Sequence, residues 1–148
     1  MSLIILSERF EPQEETFKNV AWASLKANLD FSARENSIRE SGAIEIWITK
    51  RYGNGEDDYD FFSMDIHTES HVKNFISKVK YKEKKYYPLA GTDNTPSLIC
   101  YYFSLAYLKL KPLHKIALYD DCLFGLEEIE MIESKTGFTD DWAKKIKK

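Results

Sequence analysis

"AIEIWITKRYGNGEDDYDFFSMDI", residues 43–66, decides the fold. Ile44, Ile46 and Ile48 alternate with Glu45, Trp47 and Thr49, the period-two pattern of a half-buried strand. Phe62, Met64 and Ile66 repeat the pattern beyond a turn that holds Gly53 and Gly55. A two-residue turn at Asn54-Gly55 would set Ile44 against Asp65 and Ile46 against Ser63, which wastes the apolar face. Moving the register by one residue sets Ile48 against Phe62, Ile46 against Met64 and Ile44 against Ile66, with Lys50 against Asp60. A one-residue slip inverts every side chain, so the buried face selects this second register. It predicts an odd loop of three or five residues with a glycine at positive φ. The tip then carries Glu56, Asp57 and Asp58 into solvent.

Two chemical readings of the same stretch fit its residues less well. A phosphate cradle needs backbone N–H groups at a helix start and usually a lysine, whereas "GNG" is followed by carboxylates that repel phosphate. A calcium loop of the EF-hand kind needs a central glycine and a closing glutamate in step with its acids. Asp58 and Asp60 alternate, but no glycine lies between them and Glu69. The hairpin is the better reading.

Working outward, "LIIL" (3–6) reads as a short buried strand. Pro12 to Asn28 reads as a helix, with Glu14 and Glu15 at its positive end and Phe17, Val20, Ala21 and Leu25 as its apolar stripe. Polar "DFSARENSIRESG" (30–42) reads as a loop, with a short helix as the alternative. "TESHVKNFISKVK" (68–80) changes to helical period, with Val72, Phe75, Ile76 and Val79 on one stripe and Thr68 or Ser70 as cap. "YKEKKYYPLAGTDNTP" (81–96) reads as a connector. "SLICYYFSLAYLKLK" (97–111) has the β-branched and aromatic content of a strand, but its length and the preceding Thr95-Pro96 favour a capped helix. "HKIALY" (114–119) is a strand, "LEEIEMIES" a helix stopped by Gly137, and "FTDDWAKKIKK" a short helix capped by Thr139. The expectation is one α+β domain over residues 1–148, an antiparallel sheet packed against helices in two layers.

Bulk properties agree with an ordinary packed domain. Hydrophobic residues make up 43% and charged residues 30% of 148, enough for a real core. A net charge of −3 argues against a general nucleic-acid binder. Cys100 and Cys122, with no secretory signal at the N-terminus, read as reduced thiols of a cytoplasmic protein. The apolar-rich run Leu98–Leu108 is too short to span a bilayer, so no membrane association is expected.

Chemistry-bearing constellations are sparse. His67 and His71 lie four apart, and with Cys100 and Cys122 would make a zinc set, but no CxxC or HExxH is present. A strand-end and a helix-start histidine without a metal is the preferred reading. Catalysis needs a nucleophile, a base and an orienter; GxSxG is absent and the three histidines offer few bases. No catalytic residue, metal or cofactor is expected, and the chain is read as a non-enzyme.

Charge is distributed in blocks. Residues 53–69 carry a net −6, residues 71–87 a net +5 and residues 117–141 a net −7. Acidic surface bearing Tyr59, Phe61, Tyr119 and Phe124 suits a basic protein partner. The residues expected to bind it are Glu56, Asp57, Asp58, Tyr59 and Asp60, with Asp120 and Asp121. The alternative uses segment 78–87, where Lys82, Lys84 and Lys85 track a single-stranded phosphate backbone while Tyr86 and Tyr87 stack on bases.

Small size, acidic balance, aromatic richness, an α+β pattern and the absence of a catalytic motif together resemble a bacterial immunity protein. The likeness covers the chain as a compositional type and transfers no residue. It implies a cytoplasmic inhibitor that neutralises a cognate toxin domain, often a nuclease, in contact-dependent or colicin-like systems. The implied complex is one-to-one with a basic partner, blocked at its active site or beside it.

Overall fold

The computed structural model describes residues 2–38, 42–53, 58–75, 80–81, 84–118 and 122–146. Residues 44–66 form the hairpin that their pattern requires: β3 (Ile44–Arg51) pairs antiparallel with β4 (Tyr59–Ile66). Ile44 lies opposite Ile66, Ile46 opposite Met64, Ile48 opposite Phe62 and Lys50 opposite Asp60, the register selected by the buried face. The Tyr52 N–H donates to the Asp58 carbonyl at 2.9 Å, so the pairing reaches these two residues, which are separated by five positions in the sequence. Gly53 is not at positive φ; it leaves room for the Asp58 carboxylate, which a Cβ there would meet at 2.9 Å. Gly55 lies outside the described residues.

Around this hairpin stand β1 (Leu3–Ser7), β2 (Asp30–Ile38), β7 (Tyr87–Thr92), β8 (Lys115–Leu118) and β9 (Cys122–Phe124). A separate two-stranded ribbon joins β5 (Lys80–Tyr81) to β6 (Lys84–Lys85). The main sheet is antiparallel throughout, in the order β2-β3-β4-β7-β1-β8-β9. With α1 (Gln13–Lys26), α2 (Glu69–Phe75), α3 (Ser97–Leu110) and α4 (Leu126–Lys135) it makes an α+β fold. No helix among the described residues is long and apolar enough to cross a membrane.

Two segments read as loop or connector are strands. Residues 30–38 form the edge strand β2, because an edge strand needs only one paired side and tolerates a polar sequence. Phe31 supplies its apolar contact, meeting Phe17 of α1 with ring centroids 5.5 Å apart. "YPLAGT" forms β7, between β4 and β1, despite its Pro88 and Gly91. Pro88 pairs with Leu6 where the register shifts, a place where a residue without an N–H breaks no ladder bond.

Residues 97–110 are helical, as their length and the preceding proline indicate. Pro96 is the N-cap and makes no side-chain cap; Thr95 instead shares a hydrogen bond with Thr92. The helix is buried on most sides, which explains its missing periodicity. It packs against α1 and α4 on one side of the sheet, where Phe103 meets Phe62 at 5.8 Å. The stripe of α1 is rotated from the expected one. Thr16, Val20, Ala23 and Ser24 are buried, whereas Leu25 is 58% exposed. The buried Ser24 hydroxyl donates to the Val20 carbonyl at 2.8 Å, so a small polar residue fits the face against α3. Thr68, rather than Ser70, caps α2, accepting from the His71 N–H at 3.2 Å. The chain closes in a 3-10 turn, Trp142–Lys145, rather than a helix capped by Thr139. Thr139 donates to the Asp141 carboxylate instead, and Trp142 is fully buried against Tyr101 and Phe124.

Candidate functional site

The alternation that buries Ile46, Ile48, Phe62 and Met64 turns Trp47, Thr49, Phe61 and Tyr59 to the other face of the sheet. There the rings form a ladder. Trp47 stacks on Phe61 at 5.0 Å, and Phe61 meets Tyr59 at 6.0 Å. Directly opposite Tyr59, the Arg51 guanidinium lies 5.7 Å from its ring and is held at 3.0 Å by Asp30 of β2. Tyr59 is 43% and Phe61 41% exposed. Across the strand, the Tyr52 hydroxyl donates to Asp60 at 3.0 Å. Burial and that carboxylate push the Tyr52 phenol up to about 12. β4 pairs with β7 only at Asp65 and Ile66, so β2, β3 and β4 extend past the end of β7 as a three-stranded wing.

The expected partner residues fall in two groups. Asp58, Tyr59 and Asp60 lie together at the exposed upper end of this wing. Glu56, Asp57, Asp120 and Asp121 lie outside the described residues. The strand ends that flank residues 119–121 point toward the same end of the sheet, because β3 and β8 run the same way, but Ala117 stands level with Ile4, Gly91 and Asp65, where the wing begins. Four strand spacings, about 19 Å, separate the β3–β4 and β8–β9 pairs.

The basic segment is arranged differently from its expected role. Lys84 and Lys85 are exposed, but Lys84 is paired with Glu8 at 3.0 Å. Tyr86 is 2% exposed, so its ring is not offered to a base; Tyr87 is half-buried, edge-on to Phe10 at 6.0 Å. Lys82 lies outside the described residues.

His67 and His71 do meet, with ring centroids 4.2 Å apart. Burial, then the neighbouring His71, pushes His67 down to about 4. Among the described residues no three His, Cys, Asp or Glu side chains are grouped to hold a metal. Cys100 and Cys122 are free thiols, and burial pushes that of Cys100 up to about 12.

Sequence reasoning missed a second polar centre at the lower end of the sheet: Glu11, Tyr107, Lys111 and His114. The one sequence signal was a histidine next to a strand of otherwise apolar pattern, "HKIALY". Compared with known proteins, the chain matches no family model, no curated protein and no solved structure.

Proposed function

We propose that the protein is a protein-binding inhibitor, an immunity protein of the bacterial cytoplasm that neutralises a cognate toxin domain, with a basic nuclease as the expected partner. The observation that carries this reading is the upper wing. Stacked, partly exposed aromatics on one face of the wing, with Asp58 and Asp60 at the alternate positions of the same exposed strand end, supply both parts of a binding hot spot, an apolar anchor and charge that steers. The ladder sits on paired strands rather than a loose loop, so little ordering cost falls on binding. Asp58 and Asp60 set the encounter, and Tyr59 and Phe61 provide the buried contact. Glu56, Asp57, Asp120 and Asp121 extend the acidic surface by sequence.

The test begins with the neighbouring genes: a toxin domain encoded there is the expected partner, and its absence would count against the inhibitor reading. Association is measured at low and high salt for the wild type and for Asp58→Lys with Asp60→Lys. The expected result is an on-rate reduced at least tenfold at low salt, with the difference shrinking as salt screens it. Phe61→Ala should instead speed dissociation. A complex whose rate and salt response ignore the charge reversal removes the steering role, and failure to bind or protect against that toxin removes the inhibitor reading. A labelled single-stranded oligonucleotide is the control, and saturable binding at low salt would favour the nucleic-acid alternative.

A further inference from the structure

In an antiparallel sheet, successive residues of a strand turn their N–H and C=O groups to opposite neighbours. The Tyr52 N–H bonds the Asp58 carbonyl, so in the same register Asp60, Phe62, Met64 and Ile66 turn these groups toward β3. The residues between them turn theirs the other way. The His67 N–H donates to the Leu89 carbonyl of β7 at 3.1 Å, and Asp65 lies opposite Gly91. Above Asp65 there is no β7 to meet. Its chain bends away after Thr92, with Asn94 at φ 54° and a hydrogen bond between the Thr92 and Thr95 hydroxyls, and enters α3 at Ser97. Among the described residues, no backbone bond is made to the N–H or C=O of Tyr59, Phe61 or Ser63.

This is an open strand edge, a template onto which a further strand can pair. Bulges, prolines or lysines blunt such edges in many sheets. β4 has none of them: its register with β3 is unbroken from Tyr59 to Ile66, and "YDFFSMDI" holds no proline and no cation. The residues with free backbone groups also carry the partly exposed rings of the ladder, Tyr59 and Phe61. A strand laid along this edge gains main-chain bonds and ring contact from the same residues. Charge narrows its composition. The charged residues of β4 are Asp60 and Asp65, and Asp58 comes just before it, all acidic.

We propose that the open edge of β4 holds the partner by strand addition: an extended basic segment runs antiparallel to β4 in the place that β7 leaves beyond Thr92. It exchanges main-chain bonds with Tyr59, Phe61 and Ser63. Paired residues share a face of the sheet, so its side chains opposite Tyr59 and Phe61 are apolar and lie beside the aromatic ladder. The side chain opposite Asp60 is lysine or arginine, on the other face. This rests on the reading of the wing as a partner-binding surface and adds the form that the partner's contact takes.

The probe is an acetylated, amidated heptapeptide of alternating lysine and valine, and the readout is NMR with amide exchange on the full chain. In the free chain the Tyr59, Phe61 and Ser63 amides should exchange about tenfold or more faster than those of Phe62 and Met64. Millimolar peptide should give saturable shifts and slow these three amides by a similar factor. N-methylation of the valines, whose N–H groups face β4, should abolish binding. N-methylation of the lysines, whose N–H groups face away, should leave it. Ser63→Pro removes an N–H that no bond inside the molecule uses, so it should keep the fold and lose the peptide. Protection of the three amides in the free chain, no saturable response, or equal binding of the two methylated peptides overturns the proposal. So does a dimer of the free chain that Ser63→Pro dissolves, which would give the edge to a second copy. A toxin complex that leaves the three amides unprotected overturns strand addition and keeps the inhibitor reading. Peptide binding without any toxin complex removes the inhibitor reading and keeps the open edge.

Discussion

The two ends of the sheet are built by different rules. At the upper end, the wing draws its aromatic ladder from paired strands, and every contact repeats the period of a strand. At the lower end, Glu11 and His114 are 103 residues apart in sequence and meet only because β1 and β8 are neighbours in the sheet. The upper end is held by apolar surface removed from water, which tolerates small shifts of position. The lower end is held by directional bonds among buried polar groups, which do not.

Removing mass from the apolar end should have the largest effect. Phe62→Ala leaves a cavity beside Phe103 and should cost about 3–5 kcal/mol in urea unfolding. Removing one oxygen from the polar end should come next. Tyr107→Phe strands His114 Nδ1 and should cost about 1–3 kcal/mol, although it conserves nearly all the packing volume. A neutral Tyr107→Phe would mean that the two ends are held alike.

Acid should separate the ends further. His67 titrates near 4 in the folded chain against an unfolded value of 6.5, and burial also lowers His114. The unfolded chain takes up these protons first. Their contribution is therefore complete above pH 6.5 and is lost as pH falls toward 4. The urea midpoint should drop over that window, and less steeply in His67→Gln. The smallest effect is expected from one glycine inserted within residues 53–57. Stability should change by about 0.5 kcal/mol or less, and amide exchange should show Ile46 still opposite Met64. The same insertion between Phe61 and Phe62 should abolish folding, because it turns Phe61 toward the core and the side chains before it to the wrong face.

What could be read from the sequence follows this division. The β3–β4 register was legible because Ile44, Ile46 and Ile48 leave one economical pairing with Phe62, Met64 and Ile66. The aromatic ladder was legible only in part. The acidic surface that bears Tyr59 and Phe61 is legible, but the diagonal contact of Phe61 with Trp47 needs the twist and spacing of real strands. β7 was hidden because Pro88 and Gly91 are turn residues by local preference, and only the neighbours β1 and β4 make a strand of them. Tyr86 was assigned to a surface it does not occupy, since a tyrosine beside lysines gives no local sign of burial. The lower centre had no local pattern at all. Its partners are selected by strand order, and strand order is not written in any short window.

One further consequence lies in β2. Between Ala33 and Ile38, four residues of this edge strand face the single Glu45 of β3. A foreign strand arriving at that margin would find its bonding groups out of step and its sequence polar. The irregularity thus acts as a termination signal for growth of the sheet at this margin.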